Sequence, residues 1–349
     1  MNYARLKFLI YISHSYSIPI GEPLEDVAKQ RGHDVKWFAD KPEGSAKIKH
    51  RHNAFKNIEE AVNFKPDIVL AITNQVPSFI SGIKVQVFHG FNAQKRTSKR
   101  FKYSHFKIRG MFDLYCTQGP STTKPFKKLQ QQFKHFEVKE TGWSKLDPLF
   151  KSDNQKIKAE KVLITSTFTK SLSLAHNVKF FKEVKKLIET KKYQFLMTTH
   201  PKMNQDIINK WKSLQCENFE YQETYNLLPL YQQSKLMVSD TTSAIQEFLQ
   251  LKRPIIAINN PNSPNYVLNL NDSSHLEKAI DESNKWFTKL RSEVHQSCQL
   301  IHPFTDGRSS QRVIDACEEF IKNMTKLKPK PLKILRKLKL RKALNYWKL

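Results

Sequence analysis

Residues Val238–Ile258 read VSDTTSAIQEFLQLKRPIIAI. An apolar strand end stops at Asp240, three hydroxylated residues follow, a helix-like segment begins at Ser243, and a second apolar strand starts beyond Pro254. Two buried strands joined by a short helix are the repeating unit of a parallel sheet, because parallel strands need a crossover between them. Ser, Thr and Asp are the preferred residues at a helix N-cap. A helix start also gathers free N–H groups and the positive end of the dipole, and so suits an anion. The stretch alone leaves both readings open.

The same alternation runs outward in both directions. In the first half LKFLIYIS, HDVKWF, DIVLAI, IKVQVFH and FDLYCTQG read as strands, with GEPLEDVAKQRG, FKNIEEAVNF and STTKPFKKLQQQF as helices. The polar segment PLFKSDNQKIKAEK interrupts the pattern, which then restarts with KVLITSTF, YQFLMTTHP, KLMVSD and RPIIAINNP as strands. The expected architecture is α/β: two doubly wound, Rossmann-like domains facing across a cleft, in the manner of the two-lobed GT-B transferases. The boundaries are 1–150 for an amino-terminal, acceptor-side domain, 151–321 for a nucleotide-donor-binding domain, and 322–349 for a basic tail. No G-x-G-x-x-G follows the first strand and the chain has only 9 glycines, which argues against a dinucleotide fold and a P-loop NTPase.

Composition narrows the setting. The 349 residues carry 59 Lys and Arg against 32 Asp and Glu, a formal charge of +27, which speaks to anionic partners. No apolar run reaches the length of about 18 residues that a membrane span needs. MNYARLKFLIYISHSYS has a short apolar run without a small-residue cleavage site, and reads as a first buried strand. Four scattered cysteines suggest reduced thiols in a cytosol and argue against a zinc site. From Lys322 to Leu349 there are 11 Lys and Arg and no acid, threaded with Leu, Ile, Tyr and Trp. Short helical pieces of this kind suit an anionic bilayer surface. A nucleic-acid arm is the rival, and the interleaved leucines favour the membrane; no nucleic acid is expected as partner.

Ligands of open α/β sheets bind outside the carboxyl ends of the strands. His89 and Gly90, Thr141 and Gly142, Thr165 to Thr167, His200 and Pro201, and Asp240 to Ser243 all fall at such ends. Taken singly, each is equally a turn or cap; five clusters on the same edges point to a ligand site.

These clusters carry a resemblance. FHG at His89, TGWSKLDPLF, ITSTFTKSLSLA, TTHPK, VSDTTSAIQEFLQLKRPII and DGRSSQRVID are similar, in order, to the motifs of the CDP-glycerol glycerophosphotransferase family, which builds teichoic-acid-like polymers. The chain departs from that family after Gly90, where FNAQKR replaces a small residue, proline and lysine, and at Thr241, where the family has tyrosine. The resemblance implies a CDP-activated polyol donor and a lipid-linked or glycan acceptor. It implies His89 as general base and His200 as the second catalytic residue, with His200, Thr241, Thr242 and Ser243 donating to the diphosphate. Gly90, Gly142, Thr165, Thr167, Asp240, Glu247, Arg308 and Ser309 complete the expected donor-binding set, with Ser310 beside them and Glu247 read as a solvated carboxylate within reach of a ribose or glycerol hydroxyl. No carboxylate cluster suggests magnesium, so neither metal nor other cofactor is expected. The implied location is cytoplasmic, peripheral on the inner face of the membrane. Two alternatives stay open: a GT-B glycosyltransferase using a nucleotide sugar for capsule or lipopolysaccharide, and a non-catalytic basic binding protein.

Overall fold

A computed structural model describes residues 5–91, 105–151, 158–240, 243–323 and 327–348. They group into two compact units. One contains the chain up to Gly90, the segment ending at Phe150 and everything from Ile301 onward; the other is built on Lys151–Leu300.

The first unit holds a six-stranded sheet of β1 (Lys7–Ile12), β2 (Asp34–Ala39), β3 (Ile68–Ala71), β4 (Ile83–Val87), β5 (Leu114–Thr117) and β6 (Glu137–Glu140), in the order β2-β1-β3-β4-β5-β6. All its pairings are parallel. Its helices are α1 (Ile18–Gln30), α2 (Pro42–Ile48), α3 (Ile58–Asn63) and α4 (Pro120–Phe133). The second unit has β7 (Lys161–Ser166), β8 (Phe195–Thr199), β9 (Phe219–Tyr221), β10 (Ser234–Ser239), β11 (Ile255–Ile258) and β12 (Leu268–Leu270), in the order β12-β11-β10-β7-β8-β9 and again all parallel. Its helices are α5 (Val178–Glu189), α6 (Gln205–Lys212), α7 (Leu228–Gln233), α8 (Ala244–Leu249), α9 (Leu276–Asp281), α10 (Ser283–Lys289) and α11 (Arg291–Ile301).

The central strands are covered on both faces and read as unbroken apolar runs; β3 (IVLA) is buried along its whole length. The edge strands β9 (FEY) and β12 (LNL) are three residues long and mix polar with apolar side chains, so their sequences carry little strand signal. Helix α5 shows how the covering works. Phe180, Val184, Leu187 and Ile188 recur at helical spacing on one buried face, and Asn177 Oδ1 accepts a hydrogen bond from Phe180 N at 3.1 Å to cap its start. All four cysteines are unpaired, three of them buried.

The chain does not end where the sequence suggested. Helix α12 (Ser309–Asn323) packs with the first unit rather than completing the second, so the expected 151–321 domain closes near Leu300. The cause is a carboxylate: Asp147 accepts from Ser309 N (2.8 Å), Ser310 N (2.7 Å) and Ser310 Oγ (2.6 Å), anchoring the start of α12 from 162 residues away.

The tail is likewise part of the fold. Helix α13 (Ile334–Ala343) is preceded by Lys330, whose Nζ lies 2.6 Å from Asp113 Oδ2, and by Pro331 against Gly110. Arg336 donates to the carbonyl of Arg109. Tyr346 stacks on Phe79 with centroids 4.7 Å apart, and Leu344 joins the first unit's core. Ile334, Leu335, Leu338 and Trp347 remain exposed, at 62%, 78%, 45% and 56%. Among the described residues no helix is long and apolar enough to cross a membrane.

A stacked aromatic pair contributes beyond its buried area, so Tyr346→Ala is expected to cost about 1–2 kcal/mol of stability in the first unit. Melting curves of the substituted and full-length proteins check this; an unchanged melting temperature would mean that the tail is only laid against the surface.

Candidate functional site

A doubly wound sheet reverses its winding at one place, and there two adjacent strand ends are left without a crossover between them. In the second unit this place lies between β7 and β10. The quoted stretch Val238–Ile258 supplies one of its two ends.

Asp240, directly after β10, is 1% exposed. Its carboxylate accepts from Thr167 N (3.1 and 2.9 Å), Ser166 Oγ (2.8 Å) and Leu174 N (3.1 Å), at the end of β7 and on the segment that follows it. Thr165 and Ser239 share a buried hydrogen bond of 2.7 Å between the same two strands. Of the expected donor-binding residues, Asp240, Thr165 and Thr167 are thus engaged in fixing the two strand ends. Thr241 and Thr242 lie outside the described residues. Ser243 is half-buried and opens α8 without a side-chain capping bond. With six residues α8 carries a short dipole, so the reversal of winding, more than the helix, distinguishes this end of the sheet.

His200 follows β8 on the same edge. Its backbone N–H donates to Ser166 O at 3.0 Å, and its Nδ1 accepts from Lys202 N at 3.1 Å. That bond makes Nδ1 the acceptor and Nε2 the ring nitrogen able to donate. Phe168 lies beside it, with ring centroids 4.6 Å apart. Glu247 corrects the expectation of a solvated carboxylate: it is 4% exposed and accepts from the buried Tyr231 hydroxyl at 3.0 Å. Burial, aided by this carboxylate, pushes the Tyr231 hydroxyl well above its ordinary pKa, so it stays a donor.

In the first unit His89 and Gly90 stand just beyond β4. His89 Nδ1 is buried with no hydrogen-bond partner among the described residues. Burial, helped by the positive charge of Arg109 and by His14, lowers its pKa to about 4, so the ring is neutral at physiological pH. Trp143 supports this corner: its indole Nε1 donates to the carbonyl of Phe88, the preceding residue, at 2.6 Å, while its own backbone N–H donates to His302 Nε2 at 3.0 Å. Gly90 O accepts from Gln118 Nε2 at 3.2 Å.

Gly142 has φ +80°, and a Cβ there would come 2.4 Å from Ser309 Oγ, so a glycine is required where the turn meets α12. Arg308 is exposed, and its backbone N–H donates to Asp306 Oδ1 at 3.1 Å. The Ser309 and Ser310 amides already hold an anion, the Asp147 carboxylate. Gly142, expected within the 1–150 domain, and Arg308 and Ser309, expected within 151–321, all belong to the first unit. Trp143 and Asp147 stand in the TGWSKLDPLF segment but were given no role from sequence, because their partners lie far along the chain.

These observations meet three comparisons. A family model described as CDP-Glycerol:Poly(glycerophosphate) glycerophosphotransferase matches residues 81–319, from β4 through most of α12. The chain belongs to that family. It is a CDP-glycerol glycerophosphotransferase-like transferase. Solved structures carry the same fold at low identity. The wall teichoic acid polymerase TagF aligns with a TM-score of 0.66 and 13% identity over 93% of this chain and 91% of its own. A UDP-N-acetylglucosamine 2-epimerase from Listeria monocytogenes aligns at 0.60 and 13%, over 95% of this chain and 100% of its own. MnaA of S. aureus, solved with UDP, aligns at 0.59 and 12%, over 93% and 100%. The shared architecture is the two-sheet, GT-B-like α/β fold. No curated protein sequence matches at a significant level.

Two predictions follow from the geometry. Asp147→Ala strands three donors at the start of α12 and should lower stability by about 3 kcal/mol, read from denaturant unfolding. The second concerns pH. Burial holds His89, His105 and His302 of the first unit at about 4, against the usual 6.5. The unfolded chain takes up these protons first, so stability is complete above about pH 6.5 and declines as pH falls toward 4. His105 stacks on Phe88 at 5.3 Å, and its buried Nε2 has no hydrogen-bond partner among the described residues, so His105→Phe should flatten this decline in a pH series of melting curves.

Proposed function

We propose that this chain moves glycerol phosphate, or a related polyol phosphate, from a CDP-linked donor to a hydroxyl of a lipid-linked or glycan acceptor, in synthesis of a teichoic-acid-type cell-surface polymer. The observation that carries the reading is His89: a histidine kept neutral at physiological pH, at the carboxyl end of β4, inside the segment matched by the family. A neutral imidazole is able to accept a proton, and a base within hydrogen-bond reach of an alcohol is what this transfer needs.

In the step itself the acceptor oxygen bonds to the polyol-side phosphorus while the bond from that phosphorus to the oxygen of CMP breaks. CMP leaves with the bond's electron pair, and the acceptor's proton passes to His89. Catalysis of phosphoryl transfer rests mainly on positioning and on charge stabilisation at the phosphate oxygens. His200, whose Nε2 is a donor, serves the diphosphate in this reading, together with Thr241, Thr242 and Ser243. Asp240, Thr165 and Thr167 hold the ends of β7 and β10, and buried Glu247 keeps Tyr231 in place. Trp143 is a positioning residue for His89.

The tail supports a location at the anionic inner face of the membrane. Each basic residue near such a surface contributes about 1 kcal/mol before screening. Ile334, Leu335 and Leu338 project from α13 among exposed Lys333, Lys337 and Lys339, and offer burial that salt does not weaken. Replacing the three apolar residues by Ser spares the packing of Leu344 and Tyr346. The expected outcome is a stable enzyme that no longer sediments with phosphatidylglycerol vesicles at high salt, and retained sedimentation would place the contact elsewhere.

The central test is turnover. His89→Ala should lower CMP release from CDP-glycerol by about 10²–10⁴-fold while calorimetric affinity for the donor persists. Near-normal turnover would remove His89 from the mechanism. Phosphorus-31 analysis of the product separates this reaction from sugar transfer, since only the former creates a phosphodiester.

A further inference from the structure

The first sheet also has a reversal of winding, between β1 and β3, and it lies outside the segment matched by the family. Ser13 Oγ and Thr73 Oγ1 bridge the two strand ends at 3.1 Å. The next residue, His14, has its Nδ1 3.0 Å from Glu43 Oε2. Glu43 also accepts from Ser15 N at 3.2 and 3.3 Å and from Ser15 Oγ. Burial works against the charge of Glu43, but the Ser15 and His14 hydrogen bonds outweigh it and hold the carboxyl below its ordinary pKa. A Cβ at Gly44 would lie 2.7 Å from Ser13 O, so α2 is pressed directly on this turn and fixes where Glu43 can be.

Bonded to a carboxylate through Nδ1, His14 has its tautomer and ring orientation set, with Nε2 as the nitrogen left for another group. Nε2 makes no hydrogen bond to a described residue, and the side chain is 19% exposed, so a solute can reach it. The Tyr16 ring is near two imidazoles: 5.2 Å from His14, in a stacked arrangement, and 6.2 Å from His89. Strands β1 and β4 are two places apart in the sheet, roughly 10 Å, and Tyr16 spans that gap from the β1 side. The result is an aromatic floor shared by two imidazoles. Such a floor suits a short polyol, whose C–H groups lie on rings while adjacent hydroxyls find separate partners.

We propose that His14, oriented by Glu43, and Tyr16 form the acceptor subsite, in which His14 Nε2 binds the hydroxyl adjacent to the one that His89 deprotonates. This rests on the glycerophosphotransferase reading and names the acceptor's reacting end as a vicinal diol. His14 is a binding and specificity residue; the proton of the attacking hydroxyl still goes to His89.

The experiment compares two soluble acceptors with CDP-glycerol or CDP-ribitol as donor: the octyl phosphodiester of glycerol, which ends in a diol, and that of 1,3-propanediol, which has a lone hydroxyl. One hydrogen bond corresponds to about tenfold in affinity. The full-length protein should therefore favour the diol by about tenfold in kcat/KM. His14→Ala should raise KM for the diol by about that factor, bring the two acceptors level, and leave donor affinity and melting temperature in place. Glu43→Gln, which keeps a hydrogen-bonding group, should retain part of the preference. A His14→Ala protein that still prefers the diol overturns the subsite. So does one that loses both acceptors equally with a lowered melting temperature, the mark of a structural role. If the unaltered protein forms no phosphodiester from either donor, the glycerophosphotransferase reading itself falls, and the subsite with it.

Discussion

In a parallel sheet every strand ends on the same edge, and each crossover helix covers the ends that it joins. Where the winding reverses, two neighbouring ends have no crossover between them, and the polar backbone there must be satisfied by side chains. This constraint organises both units. In the second, the Asp240 carboxylate binds the segment after β7 through two backbone N–H groups and a serine hydroxyl. In the first, Ser13 and Thr73 close the corresponding gap, and His14 and Glu43 stand directly above it. At these two places a packed α/β sheet leaves strand ends without a crossover helix over them.

Buried carboxylates do much of the remaining organisation, each in a different way. Asp147 caps a helix that arrives from the far end of the sequence and so returns the chain to the first unit. Asp240 ties strand ends, and Glu247 accepts from a buried tyrosine. A carboxylate taken out of water is costly unless its lone pairs are met by donors. Each of these three is met by donors within its own unit, which accounts for their burial.

The histidines follow the opposite logic. His89, His105 and His302 are buried, and desolvation keeps them neutral. His14, beside Glu43, and His200, whose Nδ1 is held by a backbone N–H, have their ring nitrogens assigned by hydrogen bonds instead. Desolvated, backbone-bonded and carboxylate-bound imidazoles are three states of one residue type, distinguished only by surroundings.

The alternation of apolar strands with amphipathic helices, read from local sequence, was sufficient for the α/β class, for most of the strands, and for the strand ends that carry His89, His200 and Asp240. Those properties are local, since burial of a central strand demands an apolar run and a helix face demands its period. Edge strands β9 and β12 escaped notice because three residues with mixed polarity satisfy no period. The same strand-end signal that marked His89 is present at His14, in YISHS, but its significance depends on Glu43, 29 residues away, and on the sheet reversing beside it. The partners of Asp147, Trp143 and the tail lie still further along the chain. Sequence by itself determined which residues are apolar, periodic or strand-terminal. Tertiary structure decided which polar groups meet, because a hydrogen bond between distant segments depends on chain topology, and topology leaves no trace in the composition of either partner's neighbourhood.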